Sequence, residues 1–456
     1  MAAGTAQAQE LPAPLRDALA QSGIPAKQVG IWVQEASAEQ PLAALNADTP
    51  LNPASTMKLL TTYAALDMFG PAFVWKTEAY ALGKLNGDVL EGDLALKGYG
   101  DPKLTLESFW LLLRELRARG VREITGDLVL DRSYFNLPQQ DPAAFDNEPL
   151  RPYNVAPDAL MVNFKAIKLT FLAQDGSVNI LADPHPVQLA IVNNVLADNA
   201  SCGDWTQRIT FQFQDEGGAP RLLVGGNYST ACGEQVRHVS VLPLPQYVYG
   251  VFRQLWRELG GSLNDGVREG TVPEGARLLV SRDSMPLAEI VRDVNKFSNN
   301  VMARELFINL ALADGAPLDL AKAVAAVKKW LAQKNLVFPE LVLENGAGLS
   351  RSERISARHL GELLASAYRS RVMPEYIASL PLAAEDGTMK KRLNGSSVAG
   401  QAHVKTGSLE GVRAVAGYVQ DVNGRMVVVV CLVNHPGADA AQGLQDAVLQ
   451  WAYRRP

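Results

Sequence analysis

Apolar and polar positions change their period twice along this chain. "VGIWVQEA" at 29–36 reads as a strand, and Met57 to Phe69 is a nearly all-apolar helix stopped at Gly70. From about Ala72 to Val241 the runs shorten to strand length. "WKTEAYAL", "GDLALKG", "IKLTFLA", "VQLAIVNN", "QRITFQFQ" and "PRLLVGG" alternate with turn signals such as Asn86-Gly87. One helical run, "YVYGVFRQLWREL", and a strand, "ARLLVS", follow. Helical periodicity returns at Met285 with "MPLAEIVRDVNKFSNNVMARELFINLAL" and continues in "DLAKAVAAVKKWLAQ" and "ISARHLGELLASAYRS". Near the end two strands meet at an Asn423-Gly424 turn, and "AAQGLQDAVLQWAYRR" forms a last amphipathic helix. Mixed helix and strand at both ends of a β-rich middle predict one α/β domain interrupted, after its first helix, by a large insertion.

Composition narrows the class. The chain has 456 residues, room for about three domains of roughly 150. Its apolar fraction of 47% and charged fraction of 20% are those of a globular protein. The net charge of −5, without a long basic block, argues against a nucleic-acid partner. The longest purely apolar run, Met426 to Val433, falls far short of the ~20 residues of a transmembrane helix. Ala6-Gln7-Ala8 has the small-x-small form of a signal cleavage site but lacks a basic or apolar segment before it. It is read as the stub of a truncated export signal, with a disordered Ala-rich terminus as the alternative. Cys202 and Cys232 flank a loop-rich segment that a disulfide could close in an oxidising compartment, and Cys431 lies in a strand-like run as a core thiol.

The chemistry begins in "PLNPASTMKLL", where Ser55 and Lys58 stand three apart in an apolar setting. Asn52 is a good N-cap and Pro53 a good first helical residue. Ser55 then falls in the first turn, where unpaired N–H groups and the helix dipole can stabilise an oxyanion. A capping Asn52 side chain could itself occupy the Ser55 N–H. Lys58 at i+3 shares a face with Ser55. Burial would disfavour its charged form and leave an amine able to take the Ser55 proton. The competing reading is a surface Ser/Lys pair of the kind that chance supplies about once per chain.

Two further segments converge on the same chemistry. "HVKTGSL" holds the only Lys-Thr-Gly of the chain, leading into the terminal hairpin and so onto a strand edge. Lys405 would be a fixed positive charge there. Thr406 and Ser408 offer hydroxyls to a carboxylate, and Gly407 permits close backbone approach. Ser298-Asn299-Asn300 sits between two helical stretches, where a short loop can project polar groups into a cleft. A second Ser-x-Asn, Ser262 to Asn264, follows Gly260-Gly261 in a turn and is read as structural. His403 shares the strand face of Lys405 and is expected to support it at most. There is no His-Glu-x-x-His, and the five histidines are scattered, so no metal site and no cofactor are expected.

Ser-x-x-Lys, Ser-x-Asn and Lys-Thr-Gly in this order are the motif set of penicillin-binding proteins and serine β-lactamases. The long gap from Ser55 to Ser298, with "RPYNVAPDAL", "GLSR" and "VKTGSLEGVRAVAGY", resembles the class C low-molecular-mass penicillin-binding proteins, the D-alanyl-D-alanine carboxypeptidase/endopeptidases, over essentially the whole chain. The resemblance implies a serine β-lactamase/transpeptidase-like α/β domain at 1–71 and 276–456. It implies an inserted domain at 72–163 and 240–275 and a second, β-rich one at 164–239. It implies that Ser55 is acylated and that Lys58 is its base. Ser298 would relay a proton with Lys405, Asn300 would hold Lys58 and the substrate amide, and the Ser55 and Ser408 N–H groups would bind the oxyanion. Thr406 and Ser408 would take the substrate carboxylate.

By the same resemblance, Arg351 with Glu148 and Tyr153 would recognise the free end of a peptidoglycan stem, and Asp146 competes with Glu148 for that role. β-Lactams would be covalent inhibitors, the location periplasmic, and a homodimer is compatible. Two other readings stay open. One is a β-lactamase of the same superfamily, which the missing Glu-x-x-Leu-Asn segment and the large insertion disfavour. The other is a non-catalytic wall-associated scaffold, which the intact motifs disfavour.

Overall fold

A computed structural model describes residues 11–174, 176–264 and 266–455. The Ala6-Gln7-Ala8 stub lies outside them. The described chain divides into two compact units, one formed by the residues up to Val74 and from Met285 onward, the other by Trp75–Ser284.

The first unit is built on a five-stranded antiparallel sheet. Its order is Ala402–Leu409, Val412–Gln420, Met426–Asn434, Val29–Glu35, Pro41–Leu45. The N-terminal strand therefore pairs with the C-terminal hairpin, with Ile31 opposite Cys431 and Cys431 opposite Val415. That pairing is the reason a domain can be interrupted in sequence and still be closed in space. Val427 to Val433 is wholly buried, which is why the run reads as continuously apolar rather than alternating. On one face, Leu15, Leu444, Val448 and Leu449 join a core with Ile31, Val404, Val415 and Val429. Leu15 comes from the helix Ala13–Ser22, in a segment not read as helical. Its signals are Pro14 at the start and Gly23, left-handed at φ 67°, at the end. On the sheet's Trp32 strand, a Cβ on Gly361 would lie 2.2 Å from the Trp32 ring, so the helix Ala357–Tyr368 packs there through a glycine. The helix Lys58–Phe69 buries nine consecutive residues, Lys58 to Leu66, as its all-round apolar sequence requires.

In the second unit, a seven-stranded mixed sheet takes strands from 76–131 and 262–283. The strand Arg277–Asp283, expected to open the returning catalytic segment, pairs antiparallel with Lys76–Asn86 and so belongs to this sheet. Two three-stranded sheets hold the strands between Ile167 and Val239. Cys202 and Cys232 form a disulfide, while Cys431 is a buried free thiol whose pKa burial pushes up to about 12. The β-rich reading missed the helix Leu106–Ala118. Its signals are the Thr105 cap, which accepts from the Ser108 N–H, and the buried stripe Phe109, Leu112, Leu113, Leu116. No described helix is long and apolar enough to cross a membrane.

Candidate active site

The segment before Ser55 is shaped by a close approach rather than by a simple cap. Ala54 is left-handed at φ 45°. A 3-10 turn, Ala54–Met57, then leads into the α-helix Lys58–Phe69. The expected cap is corrected here. Asn52 Oδ1 accepts from the Ala54 N–H at 2.9 Å, and its amide donates to the Ser350 carbonyl at 2.8 Å. The Asn52 side chain therefore closes a turn on Ala54 and leaves the Ser55 N–H alone. The physical reason is the loop across from it: a Cβ on Gly348 would lie 1.8 Å from the Ala54 carbonyl oxygen, so backbone presses on backbone.

Lys58 is fully buried. Its Nζ lies 2.9 Å from Ser55 Oγ, 2.6 Å from Asn300 Oδ1 and 2.5 Å from the Ala347 carbonyl oxygen. Burial holds this amine well below the usual lysine range. The neighbouring charges of Lys405 and Arg304 push the same way, against Glu353. A neutral amine has two N–H donors and one lone pair. Asn300 Oδ1 and the Ala347 carbonyl can only accept, so they take the two N–H groups, and the lone pair is left to accept the Ser55 hydroxyl proton.

Asn300 opens the helix Asn300–Asn309, whose cap is Asn299 accepting from the Met302 N–H. Ser298 sits in the preceding turn at φ 56°, a left-handed conformation that serine adopts at a cost. Lys405 Nζ donates to Ser298 Oγ at 2.8 Å and to the Thr406 carbonyl at 2.8 Å. The turn is braced from outside. Lys296 pairs with Asp386 at 2.7 Å, and a Cβ on Gly387 would lie 2.6 Å from the Lys296 carbonyl oxygen.

Lys405, Thr406, Gly407 and Ser408 lie on the sheet's edge strand, Ala402–Leu409, as the motif predicted. Lys405 and Gly407 are buried, whereas Thr406 is half-buried and Ser408 exposed, as strand alternation dictates. Full burial lowers the Lys405 pKa to about 7, so the charge expected from sequence is one that rising pH removes. Gly407 is required by space: a Cβ there would lie 2.7 Å from the Pro53 carbonyl oxygen and 3.0 Å from the Ser55 nitrogen. Gly407→Ala is therefore expected to displace the Ser55 turn and lower the β-lactam acylation rate by about 100-fold, the usual consequence of an ångström-scale misplacement. Stopped-flow acylation rates that stay near wild type would contradict this.

Two contributors were not found from sequence. The Ala347 carbonyl completes the Lys58 environment, and Glu353 fixes the loop that carries it. The Glu353 carboxylate is buried, and its Oε1 accepts from the N–H groups of Glu344, Asn345 and Gly346 at 2.9–3.1 Å. The neighbouring Gly346 carbonyl accepts from Thr61 at 2.6 Å. A glutamate in a polar loop carries no sequence signal for such a role.

The residues expected at the stem's free end behave differently. Tyr153 donates to Asp146 Oδ2 at 2.8 Å, and Asn154 donates to Asp146 Oδ1 at 2.8 Å. Glu148 instead pairs with Arg151 at 3.3 Å. Arg351 pairs with Glu410 at 3.4 Å. His403, with its Nδ1 buried, lies in a setting that lowers its pKa through burial and the charge of Lys296.

Residues 11–455 match the family described as D-Ala-D-Ala carboxypeptidase 3 (S13). The chain is 26% identical over 411 residues to the D-alanyl-D-alanine carboxypeptidase DacB of Haemophilus influenzae, covering 89% of this chain and 85% of the relative. It is 27% identical over 439 residues to a D-alanyl-D-alanine carboxypeptidase of an Actinomadura species, covering 92% and 80%. Its fold matches a crystal structure of penicillin binding protein 4 (dacB) from H. influenzae with a TM-score of 0.79, at 24% identity, over 96% of this chain and 99% of the other.

Proposed function

The chain belongs to the D-Ala-D-Ala carboxypeptidase 3 (S13) family, and from that premise we propose that Ser55 is the nucleophile with which it cleaves peptidoglycan stem peptides. The protein is a serine-type D-Ala-D-Ala carboxypeptidase, a hydrolase of the penicillin-binding class. The observation that carries the assignment of roles is the buried Lys58 Nζ, 2.9 Å from Ser55 Oγ and bonded on its other sides to Asn300 Oδ1 and the Ala347 carbonyl.

Ser55 Oγ attacks the carbonyl of the penultimate D-alanine while its proton passes to Lys58 Nζ. The Ser55 and Ser408 N–H groups stabilise the oxyanion. The proton then travels through Ser298, held by Lys405, to the leaving amine, whose carboxylate rests on Thr406 and Ser408. Asn300 orients Lys58 and the substrate amide. Water attacks the acyl-enzyme and restores Ser55.

A β-lactam opened by the same attack leaves Ser55 acylated. The H. influenzae protein of like fold was solved in complex with a β-lactam, which supports that expectation. Endopeptidase cleavage of cross-links is proposed beside carboxypeptidase action. Arg351, Glu148 and Tyr153 are proposed as contacts for the stem's free end, with Asp146 the stronger competitor because Tyr153 already bonds it.

Export to the periplasm draws support from the Cys202–Cys232 disulfide. The separation of 164–239 from the rest of the insertion, which now runs on through the strand Arg277–Asp283, is supported by strand pairing, since the strands from Ile167 to Val239 pair only with one another among the described strands. Digestion of purified peptidoglycan with mass analysis of the products tests the function. D-Alanine release blocked by penicillin is the expected result. Rapid nitrocefin turnover without D-alanine release would instead make it a β-lactamase, and neither activity would make it a scaffold.

Lys405 sets a pH dependence. Its charged form holds Ser298 and attracts the substrate carboxylate, and that form is lost as pH rises through about 7 in the free enzyme. kcat/KM is thus expected to fall on the alkaline side from about pH 7. The limb should move to higher pH in kcat, because bound carboxylate favours the ammonium. In Lys405→Arg the guanidinium stays charged, and the limb should disappear from the residual activity. The same limb in that variant would exclude Lys405 as its origin.

A further inference from the structure

Lys58 has no counter-ion in contact. Its Nζ meets Ser55 Oγ, Asn300 Oδ1 and the Ala347 carbonyl, all uncharged. The cations that bear on it, Lys405 and Arg304, oppose a positive charge there. When Ser55 Oγ bonds to the substrate carbonyl, its proton moves to Nζ and the amine becomes an ammonium. Lys58 is fully buried, and a buried charge is costly unless an opposite one lies nearby.

Glu353 is the acid whose field favours that charge. It too is fully buried. Its Oε1 is clasped by the N–H groups of Glu344, Asn345 and Gly346 at 3.1, 2.9 and 3.0 Å. Its Oε2 is buried and has no hydrogen-bond partner among the described residues. The clasped loop continues from Gly346 to Ala347, whose carbonyl touches Lys58 Nζ, so one short stretch of chain contacts both the carboxylate and the amine. Three N–H groups favour the ionised carboxylate, against burial and the charge of Glu344, which push its pKa up. Glu353 also acts on Arg304, but Glu305 and Glu344 share that task.

We propose that Glu353 is a positioning residue for acylation, whose negative charge stabilises the ammonium forming on Lys58. The inference rests on Lys58 being the base and deepens that reading. Ionised Glu353 meets a neutral amine in the resting site and an ammonium as Ser55 is acylated, so its stabilisation grows toward the transition state. Anchoring the loop would by itself need only a hydrogen-bond acceptor, which a neutral amide oxygen also supplies.

Two pairs of proteins separate charge from anchoring. Wild type and Glu353→Gln differ in charge at equal length, with an oxygen kept for the three N–H groups. Glu353→Asp and Glu353→Asn differ in charge at one methylene shorter, and they decide the matter if Glu353→Gln does not fold. The second-order β-lactam acylation constant is followed against pH, on sites counted by end-point acylation. In each pair the uncharged member is expected to show its acid limb about one pH unit lower, because Lys58 loses the charge that favours its protonation. Its plateau should be about tenfold lower, because the ammonium is less stabilised. Coincident acid limbs within a pair that folds overturn the proposal even if the rates differ, since a loosened loop lowers a rate without moving its pH dependence. Unchanged acylation in Lys58→Ala would instead overturn the assignment of the base, and the role of Glu353 with it.

Discussion

Lys58→Ala lowers the rate of Ser55 acylation by about 10⁴-fold, the upper range for loss of a positioned base. That corresponds to about 5–6 kcal/mol of transition-state stabilisation. Three features make the effect large. The Lys58 amine is the group placed 2.9 Å from Ser55 Oγ, and an alanine leaves that hydroxyl without an acceptor for its proton. Burial pushes its pKa down and so favours the neutral form that can accept the proton. The flanking acceptors, Asn300 Oδ1 and the Ala347 carbonyl, are left without their donor, so the site also loses its local order. The measurement is the second-order acylation constant with a fluorescent penicillin. A loss of only a few fold would mean that another group takes the proton.

Ser55→Ala is expected to remove adduct formation and D-alanine release altogether while leaving the fold as it is. Ser55 is only partly buried, and the contact of its hydroxyl is to Lys58. No core volume is lost, and the surrounding turn is held by Gly348, Gly407 and Asn52 rather than by the hydroxyl. Thermal unfolding should therefore shift by no more than a few degrees, the range of about 1 kcal/mol in a chain of this size. Residual adduct on the Ser55→Ala protein would place the nucleophile elsewhere.

The candidate cluster was legible because its parts are local in sequence. A lysine three residues after a serine shares its helix face, and a Lys-Thr-Gly before a hairpin falls on an edge strand. The two halves of the central sheet could be foreseen from "VGIWVQEA" and "RMVVVVCLV", since a doubly buried strand shows as an unbroken apolar run. What escaped depends on distant chain. The Ala347 carbonyl reaches Lys58 across 289 residues, and a backbone acceptor has no residue type to mark it. Glu353 is a polar residue in a polar stretch, and nothing local distinguishes a buried one from a solvated one. The helix Leu106–Ala118 was hidden by its strand-rich surroundings, although its stripe at 109, 112, 113 and 116 has helical spacing. The burial of Lys405 was missed for a related reason. A Lys on an edge strand suggests solvent, and only the packing around it reveals full burial.

Intact-mass analysis of the protein after penicillin treatment, followed by peptide mapping, goes to the heart of this account. One adduct per chain, carried by the peptide containing Ser55 and growing more slowly as acid protonates Lys58, is the predicted result. An adduct mapped to any other residue, or a rate indifferent to acidification, would contradict it.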